Sequence, residues 1–252
     1  MTRIEIDGRP ATAEALAHPA MSTTGHFTAL QVRDHRVRGM DLHLTRLRTA
    51  STEMFDSDLD DDLVLSHIRH ALADGIADAS LRVYVFQPGD ALSVMVTVGP
   101  PGEAATTPQR LRAVPYTRPF PHLKHLGGFA QAHHAKLARR DGYDDALLVT
   151  PDGLVTEGTT TNIGFFDGDT VVWPDAPVLL GITMQLVNTA LAEPPRLAEI
   201  RLEDLTAYGA AFLTNARGIV PVGSIDDLDF PVDPDRMKLI TDAYASVPWT
   251  RP

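Results

Sequence analysis

Residues 145–174 of the chain alternate short apolar runs with turn dipeptides. The runs ALLV, IGFF and TVVW are separated by Asp152-Gly153 and by Gly168-Asp169. Such dipeptides between apolar runs are typical of β-hairpins. The pattern therefore predicts a meander of antiparallel strands, in which one acidic residue, Glu157, stands at the end of a strand just before a glycine and three threonines.

The N-terminal part of the chain has the pattern of a mixed sheet with two helices. Leu44, Leu47 and Met54 recur at helical spacing and predict the first helix. The segment DDLVLSHIRHALADGI predicts a second helix that ends near Gly75. The runs ASLRVYVF and LSVMVTV, separated by the turn PGD, predict two strands.

The segment YTRPFPHLKHLG is rich in proline and has no periodicity, so it predicts a linker. After it, GFAQAHHAKLARRDGY, GITMQLVNTALAE and DPDRMKLITDAYASV predict three helices around the meander. We therefore expect an α+β fold of two domains. The predicted divisions are a smaller domain at 1–114, a linker at 115–121 and a larger domain at 122–252.

Composition narrows the class of protein. The 252 residues carry a formal net charge of −11, which argues against nucleic-acid binding. The chain has no cysteine, which excludes thiol chemistry and fits a cytoplasmic protein. No apolar stretch reaches the roughly 20 residues that span a bilayer, so no membrane is expected. The aspartates of FDSDLDDDL are interpreted as a solvated helix entry, and no metal is expected.

Two residues are candidates for chemistry in their own right. Lys124, in PFPHLKHLGGF, is either a surface lysine or a desolvated amine able to form a Schiff base. Glu157 is either a solvated carboxylate at a strand end or a buried one. Since burying an unpaired carboxylate is costly, a buried Glu157 would need a cationic partner.

Three further segments have the chemistry of an anion site. Gly181-Ile182-Thr183 opens a predicted helix, where free N–H groups favour an anion, although a simple helix cap is the usual role of such residues. Thr214-Asn215 follows an apolar strand and offers hydroxyl and amide donors. Arg46 either extends over apolar neighbours or binds a phosphate with its guanidinium.

Taken in order, these segments resemble the class IV (fold type IV) pyridoxal-phosphate enzymes. That group includes branched-chain and D-amino-acid aminotransferases, (R)-amine transaminases and aminodeoxychorismate lyases. The similar segments are HLTRL, LKHLGGF, GYDDALLVTPDGLVTEGTTTNIGFF, LLGIT and FLTNARGIVPV. The resemblance implies a small N-terminal α/β domain, a larger barrel-like domain and pyridoxal 5'-phosphate as cofactor.

The resemblance also implies roles for individual residues. Lys124 matches the lysine that forms the internal aldimine and later transfers protons, and Glu157 matches the carboxylate paired with the ring nitrogen. The residues that match the phosphate site are Arg46, Gly181, Ile182, Thr183 and Thr214. The remaining cofactor positions implied are Thr161, Asn162 and Asn215.

On the substrate side, the residues expected to border the site are Thr28, Arg33, Arg82, Arg118, His122, Phe129, Ala216 and Arg217. Cations are favoured because a substrate carboxylate needs one. The implied partners are a small-molecule amine and a keto acid, and the family resemblance implies a homodimer.

The expected activity is transamination between an amino acid or amine and a keto acid, with D-amino acids and (R)-amines among the candidate donors. The alternative is an aminodeoxychorismate-lyase-type reaction that eliminates pyruvate. Phe27-Thr28 and Phe129, which replaces a tyrosine of many aminotransferases, favour the lyase, whereas the missing YGDG lead-in before them weakens it. A non-catalytic binding protein is the third hypothesis, and the presence of both Lys124 and Glu157 opposes it.

Overall fold

The computed structural model describes residues 2–73 and 75–252. The chain divides into two compact units. The first unit contains the residues up to Gly102, together with Leu123–Gly127 and Pro248–Pro252. The second contains Glu103–His122 and Gly128–Val247.

The first unit is an antiparallel sheet with two helices packed on one face. Its elements are β1 (Arg3–Ile6), β2 (Arg9–Pro10), α1 (Ala13–Met21), β3 (His26–Val32), α2 (Met40–Phe55), α3 (Asp61–Ala71), β4 (Ala79–Phe86) and β5 (Ser93–Gly99). The strand order is β2-β1-β5-β4-β3. Helices α2 and α3 pack on β3 and β5, so the two predicted helices and the β4–β5 hairpin are confirmed.

The amphipathic patterns of β3 and α2 explain this packing. Alternate residues of β3, namely His26, Thr28, Leu30 and Val32, are buried. The buried residues of α2 recur at spacings of three and four, which places them on one face of the helix. Asp60 caps α3 by accepting a hydrogen bond from Asp62 N at 2.9 Å. The acidic run is therefore a helix entry, as predicted.

The second unit contains a larger sheet. Its elements are β6 (Gln109–Pro115), α4 (Phe129–Arg140), β7 (Asp145–Val149), β8 (Val155–Gly158), β9 (Asn162–Asp167), β10 (Thr170–Pro174), α5 (Ile182–Ala190), β11 (Arg196–Ala198), a 3-10 helix (Leu202–Ala207), β12 (Ala210–Asn215), β13 (Gly218–Ile225), β14 (Leu228–Asp229) and α6 (Pro234–Ser246). The predicted meander corresponds to β7 to β10, and the three predicted helices are α4, α5 and α6.

Six of these strands form a closed ring. The order β9-β12-β13-β6-β7-β8 returns to β9 through a pairing between β8 and β9. That pairing joins Glu157 to Asn162. The barrel-like character expected for the larger domain is thus confirmed, and the acidic residue singled out in the sequence lies where the ring closes.

The predicted domain boundaries differ from the observed units. Residues 109–115 form β6, which pairs in parallel with both β7 and β13 and so belongs to the second unit. Its sequence, QRLRAVP, has only one buried residue, so its alternation was too weak to predict a strand. Residues 123–127, assigned by prediction to the larger domain, belong to the first unit because Lys124 and Leu126 form backbone bonds with Phe27 and Gly25.

Close packing in the second unit leads to a stability prediction at Gly164. A Cβ added there would lie 2.5 Å from Phe212 Cζ and 2.9 Å from Trp173 Cζ3, and both rings are fully buried. We expect Gly164→Ala to lower the free energy of unfolding by about 2 kcal/mol, because an overpacked core must shift both rings. Urea unfolding followed by tryptophan fluorescence measures this change.

Gly89→Ala is the control for this prediction, since an added Cβ at Gly89 meets nothing within 4 Å. Its unfolding curve should match that of the unmodified protein. Equal stability of both variants would contradict the packing account.

Candidate functional site

The Glu157 carboxylate is buried at the end of β8. The residue is 5% exposed. It is followed by Gly158, where an added Cβ would lie 2.2 Å from Thr161 Oγ1. A side chain at this position would therefore collide with Thr161 in the turn at 159–161, which we call the threonine turn. Glycine allows the chain to pass close to this turn. Of the two interpretations of Glu157 from sequence, the buried carboxylate is the one that the structure shows.

The partner of this carboxylate is Arg118. Arg118 Nε donates to Glu157 Oε1 at 2.9 Å, and the two side chains are 5% and 7% exposed. The Arg118 guanidinium also donates to the carbonyl of Pro121. The sequence predicted that Arg118 binds a substrate carboxylate. In the structure its guanidinium is instead paired with a carboxylate of the protein itself.

A short backbone segment, 178–181, is fastened to both strands of the ring closure. Leu179 N donates to Glu157 Oε2 at 3.2 Å, and Asn162 Nδ2 donates to Leu179 O at 2.6 Å. A Cβ at Gly181 would lie 1.9 Å from Asn162 Oδ1, so this position requires glycine. The segment leads directly into α5, whose start is therefore held relative to Glu157.

The beginning of α5 has the features of an anion site. Its first residue, Ile182, follows Gly181, which supplies no side-chain cap. Thr183 Oγ1 donates to Asn215 O at 2.7 Å and so joins the helix to the end of β12. Next to Asn215, Thr214 is 1% exposed, and its hydroxyl has no hydrogen-bond partner among the described residues. Uncapped N–H groups and a spare buried hydroxyl are what a phosphate group would use.

The threonine turn after Glu157 is held by two other elements. Thr159 Oγ1 donates to Asp145 Oδ1 at 2.6 Å, and Gln131 Nε2 donates to Thr159 O at 3.3 Å. Burial raises the pKa of Asp145, although the Thr159 hydroxyl partly opposes this. No role was predicted for Asp145 from the sequence. Its position in the GYDDAL segment was the only feature that pointed to it. Its observed role is to hold the turn.

A small cavity in the second unit brings several predicted residues together. It has a volume of about 90 Å³, and Thr161, Asn215 and Arg217 are among the residues that line it. The Thr161 hydroxyl has no hydrogen-bond partner among the described residues. Ala216, between Asn215 and Arg217, is half-buried.

Lys124 lies in the first unit, beside the start of β3. Its carbonyl accepts a hydrogen bond from Phe27 N at 2.9 Å, and His125 pairs with His26 as an isolated bridge. The Lys124 Nζ atom is 4.8 Å from the centre of the Phe27 ring, which stacks on Tyr84. The amine therefore lies over an aromatic face, and Lys124 as a whole is half-buried. Its role in forming a Schiff base stays a prediction.

Arg46 and Lys124 act on the same buried histidine. Burial, together with the nearby charges of Arg46 and Lys124, lowers the pKa of His43 to about 3. Electrostatic effects of this kind fall off with distance, so both cations lie near His43. Sequence reasoning missed His43, although its spacing of three from Arg46 in a helix was a usable signal.

Thr28 does not have the position expected of a substrate contact. It is 1% exposed, and its hydroxyl bonds His43 Nδ1 at 2.6 Å. Because side chains alternate along a strand, Thr28 faces α2 while Phe27 faces the opposite side of the sheet. The hydroxyl is therefore part of the core of the first unit.

The remaining substrate candidates are dispersed. Arg33 donates to Val32 O and Gly102 O, both at 2.9 Å. Arg82 is exposed, and it pairs with Ala29 on the face of the sheet that carries Phe27. His122 is exposed, and Phe129, at the first position of α4, is 80% exposed and stacks on His133. Their substrate roles stay predictions.

Comparison with known proteins gives the class of this chain. Residues 25–225 match the family described as Amino-transferase class IV. The chain belongs to this family, as its sequence segments predicted. The class IV aminotransferases use pyridoxal phosphate and act on small molecules.

One curated relative and two solved structures show how far the similarity extends. A Rickettsia felis protein named "Probable branched-chain-amino-acid aminotransferase" is 36% identical over 98 residues, which is 37% of this chain and 33% of that protein. The chain thus spans about a third of the length of that relative.

A hypothetical aminotransferase from Mycobacterium tuberculosis, in its PLP-bound form, has a TM-score of 0.81 at 20% identity, over 93% of this chain and 92% of its own. A Legionella pneumophila protein named as a 4-amino-4-deoxychorismate lyase has a TM-score of 0.77 at 21% identity, over 86% and 89%. At these identities the similarity shows the fold alone. The expected fold class is therefore confirmed.

The residues present fit pyridoxal phosphate. The spare Thr214 hydroxyl and the uncapped start of α5 suit its phosphate. The buried Glu157 carboxylate suits a protonated ring nitrogen.

Within the described residues, no helix has the length and apolar character needed to cross a membrane.

Two buried histidines of the first unit lead to a pH prediction. Burial lowers the pKa of His26 to about 4 and that of His43 to about 3. Both stay neutral in the folded chain but take up protons below about pH 6.5 once it unfolds. Between pH 6.5 and about 4 the unfolded state thus binds more protons than the folded state. In this range the free energy of unfolding decreases as the pH is lowered. Each histidine contributes up to about 1.4 kcal/mol per pH unit.

Urea unfolding from pH 7 to pH 4.5 measures this slope. His43→Gln should reduce it by about the contribution of one histidine, whereas His133→Gln, at an exposed helix position, should leave it unchanged. A slope that His43→Gln does not alter would show that His43 is not neutral in the folded protein.

Proposed function

We propose that this chain is a pyridoxal-phosphate-dependent aminotransferase that moves an amino group from an amino acid or amine to a keto acid. The observation that carries the proposal is the hydrogen-bond network of the second unit. It joins the buried, ion-paired carboxylate of Glu157 to the start of α5, and Thr183 links that start to the end of β12, where the Thr214 hydroxyl has no partner among the described residues. One network thus offers an acceptor for a ring nitrogen and a cradle for a phosphate.

In this proposal the residues of the chain divide the work. The start of α5, Thr214 and Arg46 bind the phosphate, and Glu157 keeps a proton on the ring nitrogen. Lys124 would bind the cofactor covalently, and its amine would take the α-proton of the substrate and deliver it to the cofactor. Pyridoxal phosphate, when bound, supplies a ring that accepts electrons from the substrate carbon.

The setting of Lys124 supports its proton-transfer role. Its amine lies over the face of the Phe27 ring, and the residue is half-buried. Enzymes use lysines in partly apolar surroundings as covalent nucleophiles and bases.

The partners proposed are a small-molecule amine and a keto acid. A homodimer is proposed from the family resemblance, and a cytoplasmic location is proposed because the chain lacks cysteine.

A lyase reaction is the second candidate function. It is favoured by Phe129, where many aminotransferases of the family have a tyrosine, and by Phe27-Thr28. The structure weakens the second of these arguments, since the Thr28 hydroxyl bonds His43 and faces the core. The aminotransferase therefore stays the favoured candidate function.

The two candidates differ in their products. The protein loaded with pyridoxal phosphate should convert the cofactor to its aminated form, seen by absorbance, when it is given D-alanine, L-leucine or (R)-1-phenylethylamine in turn. Release of pyruvate from aminodeoxychorismate, with an unchanged spectrum for every amine, would overturn the aminotransferase proposal in favour of the lyase.

The role of Lys124 has its own test. Lys124→Ala should still bind pyridoxal phosphate, through the phosphate cradle, but borohydride should no longer attach the cofactor to the chain, and the amine half-reaction should slow at least 1000-fold, on the order expected for loss of a nucleophile. Mass spectrometry after reduction detects the cofactor that is covalently attached to the chain. Lys136→Ala, at an exposed position on α4, is the matched control. Attachment that persists in Lys124→Ala would place the nucleophile elsewhere.

A further inference from the structure

The segment before Lys124 is tied to the buried carboxylate by one side chain. Arg118 donates from Nε to Glu157 Oε1 at 2.9 Å, and its guanidinium also donates to Pro121 O. Both members of the ion pair are at least nine-tenths buried. The same arginine therefore fixes the carboxylate and the loop that carries Pro121.

Electrostatics makes this pairing obligatory for the folded unit. A carboxylate or a guanidinium removed from water is costly by itself, and removing one partner of a buried pair leaves the other uncompensated. A guanidinium beside a carboxylate favours the ionised form of the carboxylate. Arg118 therefore supplies the positive charge that the buried Glu157 carboxylate needs.

The ion pair leaves Glu157 able to bind a third group. Its Oε1 accepts from Arg118 and its Oε2 accepts from Leu179 N at 3.2 Å. An ionised carboxylate has about four acceptor positions, so two stay open. A protonated ring nitrogen can use one of them without displacing Arg118.

We propose that Arg118 is a positioning residue for the reaction and not a substrate-binding residue. It holds Glu157 ionised and oriented, so that the proton shared between Glu157 and the ring nitrogen stays on the nitrogen. This inference rests on the proposed function. It differs from the expectation from sequence, in which Arg118 binds the substrate carboxylate.

The first experiment uses the full chain without added cofactor. Urea midpoints are measured from pH 5 to pH 8 for Arg118→Met, Arg118→Lys and the double variant Arg118→Met/Glu157→Gln. In Arg118→Met the unpaired carboxylate resists ionisation in the folded state but ionises freely in the unfolded state. The midpoint should therefore fall, relative to the unmodified protein, as the pH rises.

Arg118→Lys restores a positive charge and should recover part of the loss, and the double variant should show no such dependence on pH. Arg112→Met is the matched control, because Arg112 pairs with Asp141 at 2.8 Å while both side chains are substantially exposed. The urea midpoint of Arg112→Met should change with pH in the same way as that of the unmodified protein. If the urea midpoint of Arg118→Met differs from that of the unmodified protein by the same amount at every pH, the claim that Arg118 keeps Glu157 ionised is overturned.

The second experiment separates positioning from substrate binding in the loaded protein. The amine half-reaction is followed with D-alanine, which has a carboxylate, and with (R)-1-phenylethylamine, which has none. A positioning role predicts that Arg118→Met slows the maximum rate at least tenfold with every amine that the unmodified protein accepts, with little change in KM. The absorbance of the loaded variant should also change with pH where that of the unmodified protein does not.

A rise in KM confined to D-alanine, with an unchanged spectrum, would overturn the proposal and restore the substrate role. Failure of the unmodified protein to bind pyridoxal phosphate would instead refute the proposed function. In that case the proposed role in catalysis falls with it, whereas the cofactor-free measurements still decide whether Arg118 controls the charge of Glu157.

Discussion

A carboxylate removed from water must be matched by donors, and much of the second unit is arranged around that requirement at Glu157. Its two oxygens accept from the Arg118 guanidinium and from the backbone of Leu179. Without these donors, ionised Glu157 would destabilise the fold by several kcal/mol. The pairing draws together the strand that ends at Glu157, the segment before Lys124 and the segment that enters α5. A chemical requirement of the site is thereby also a structural requirement of the unit.

The anion site at α5 depends on the same contacts. Asn162 is the β9 partner of Glu157, and its amide holds Leu179 while its oxygen lies against Gly181. The position of the helix start is therefore set by the strand pair that closes the ring. Thr183 links that start to the end of β12, beside the Thr214 hydroxyl. Rigid support of this kind keeps donors in place before a ligand arrives, and this preorganisation reduces the cost of binding.

In the first unit, two cations act on one buried histidine. Arg46 and Lys124 both act on His43, and burial keeps this histidine neutral. A third positive charge there would add repulsion. The Thr28 hydroxyl takes part by bonding His43 Nδ1, which explains why a residue expected to contact substrate is found in the core. The aromatic face of Phe27 then provides a surface over which the Lys124 amine can lie.

The sequence by itself determined the local features of this protein. Turn dipeptides and apolar runs predicted β7 to β10, and helical spacing predicted α2 and α3, because these patterns depend on residues close together in the chain. The order of the motifs also identified the family. In contrast, the weak alternation of β6 concealed its place in the second sheet.

Only the tertiary structure decided which partners the polar side chains take. Arg118 and Glu157 are 39 residues apart, Thr28 and His43 are 15 apart, and Thr159 and Asp145 are 14 apart. Composition and periodicity report how often a residue type is buried, but not which donor meets which acceptor once strands and helices pack. That choice is made by the folded chain, where most buried polar groups find a partner among those that packing brings within reach.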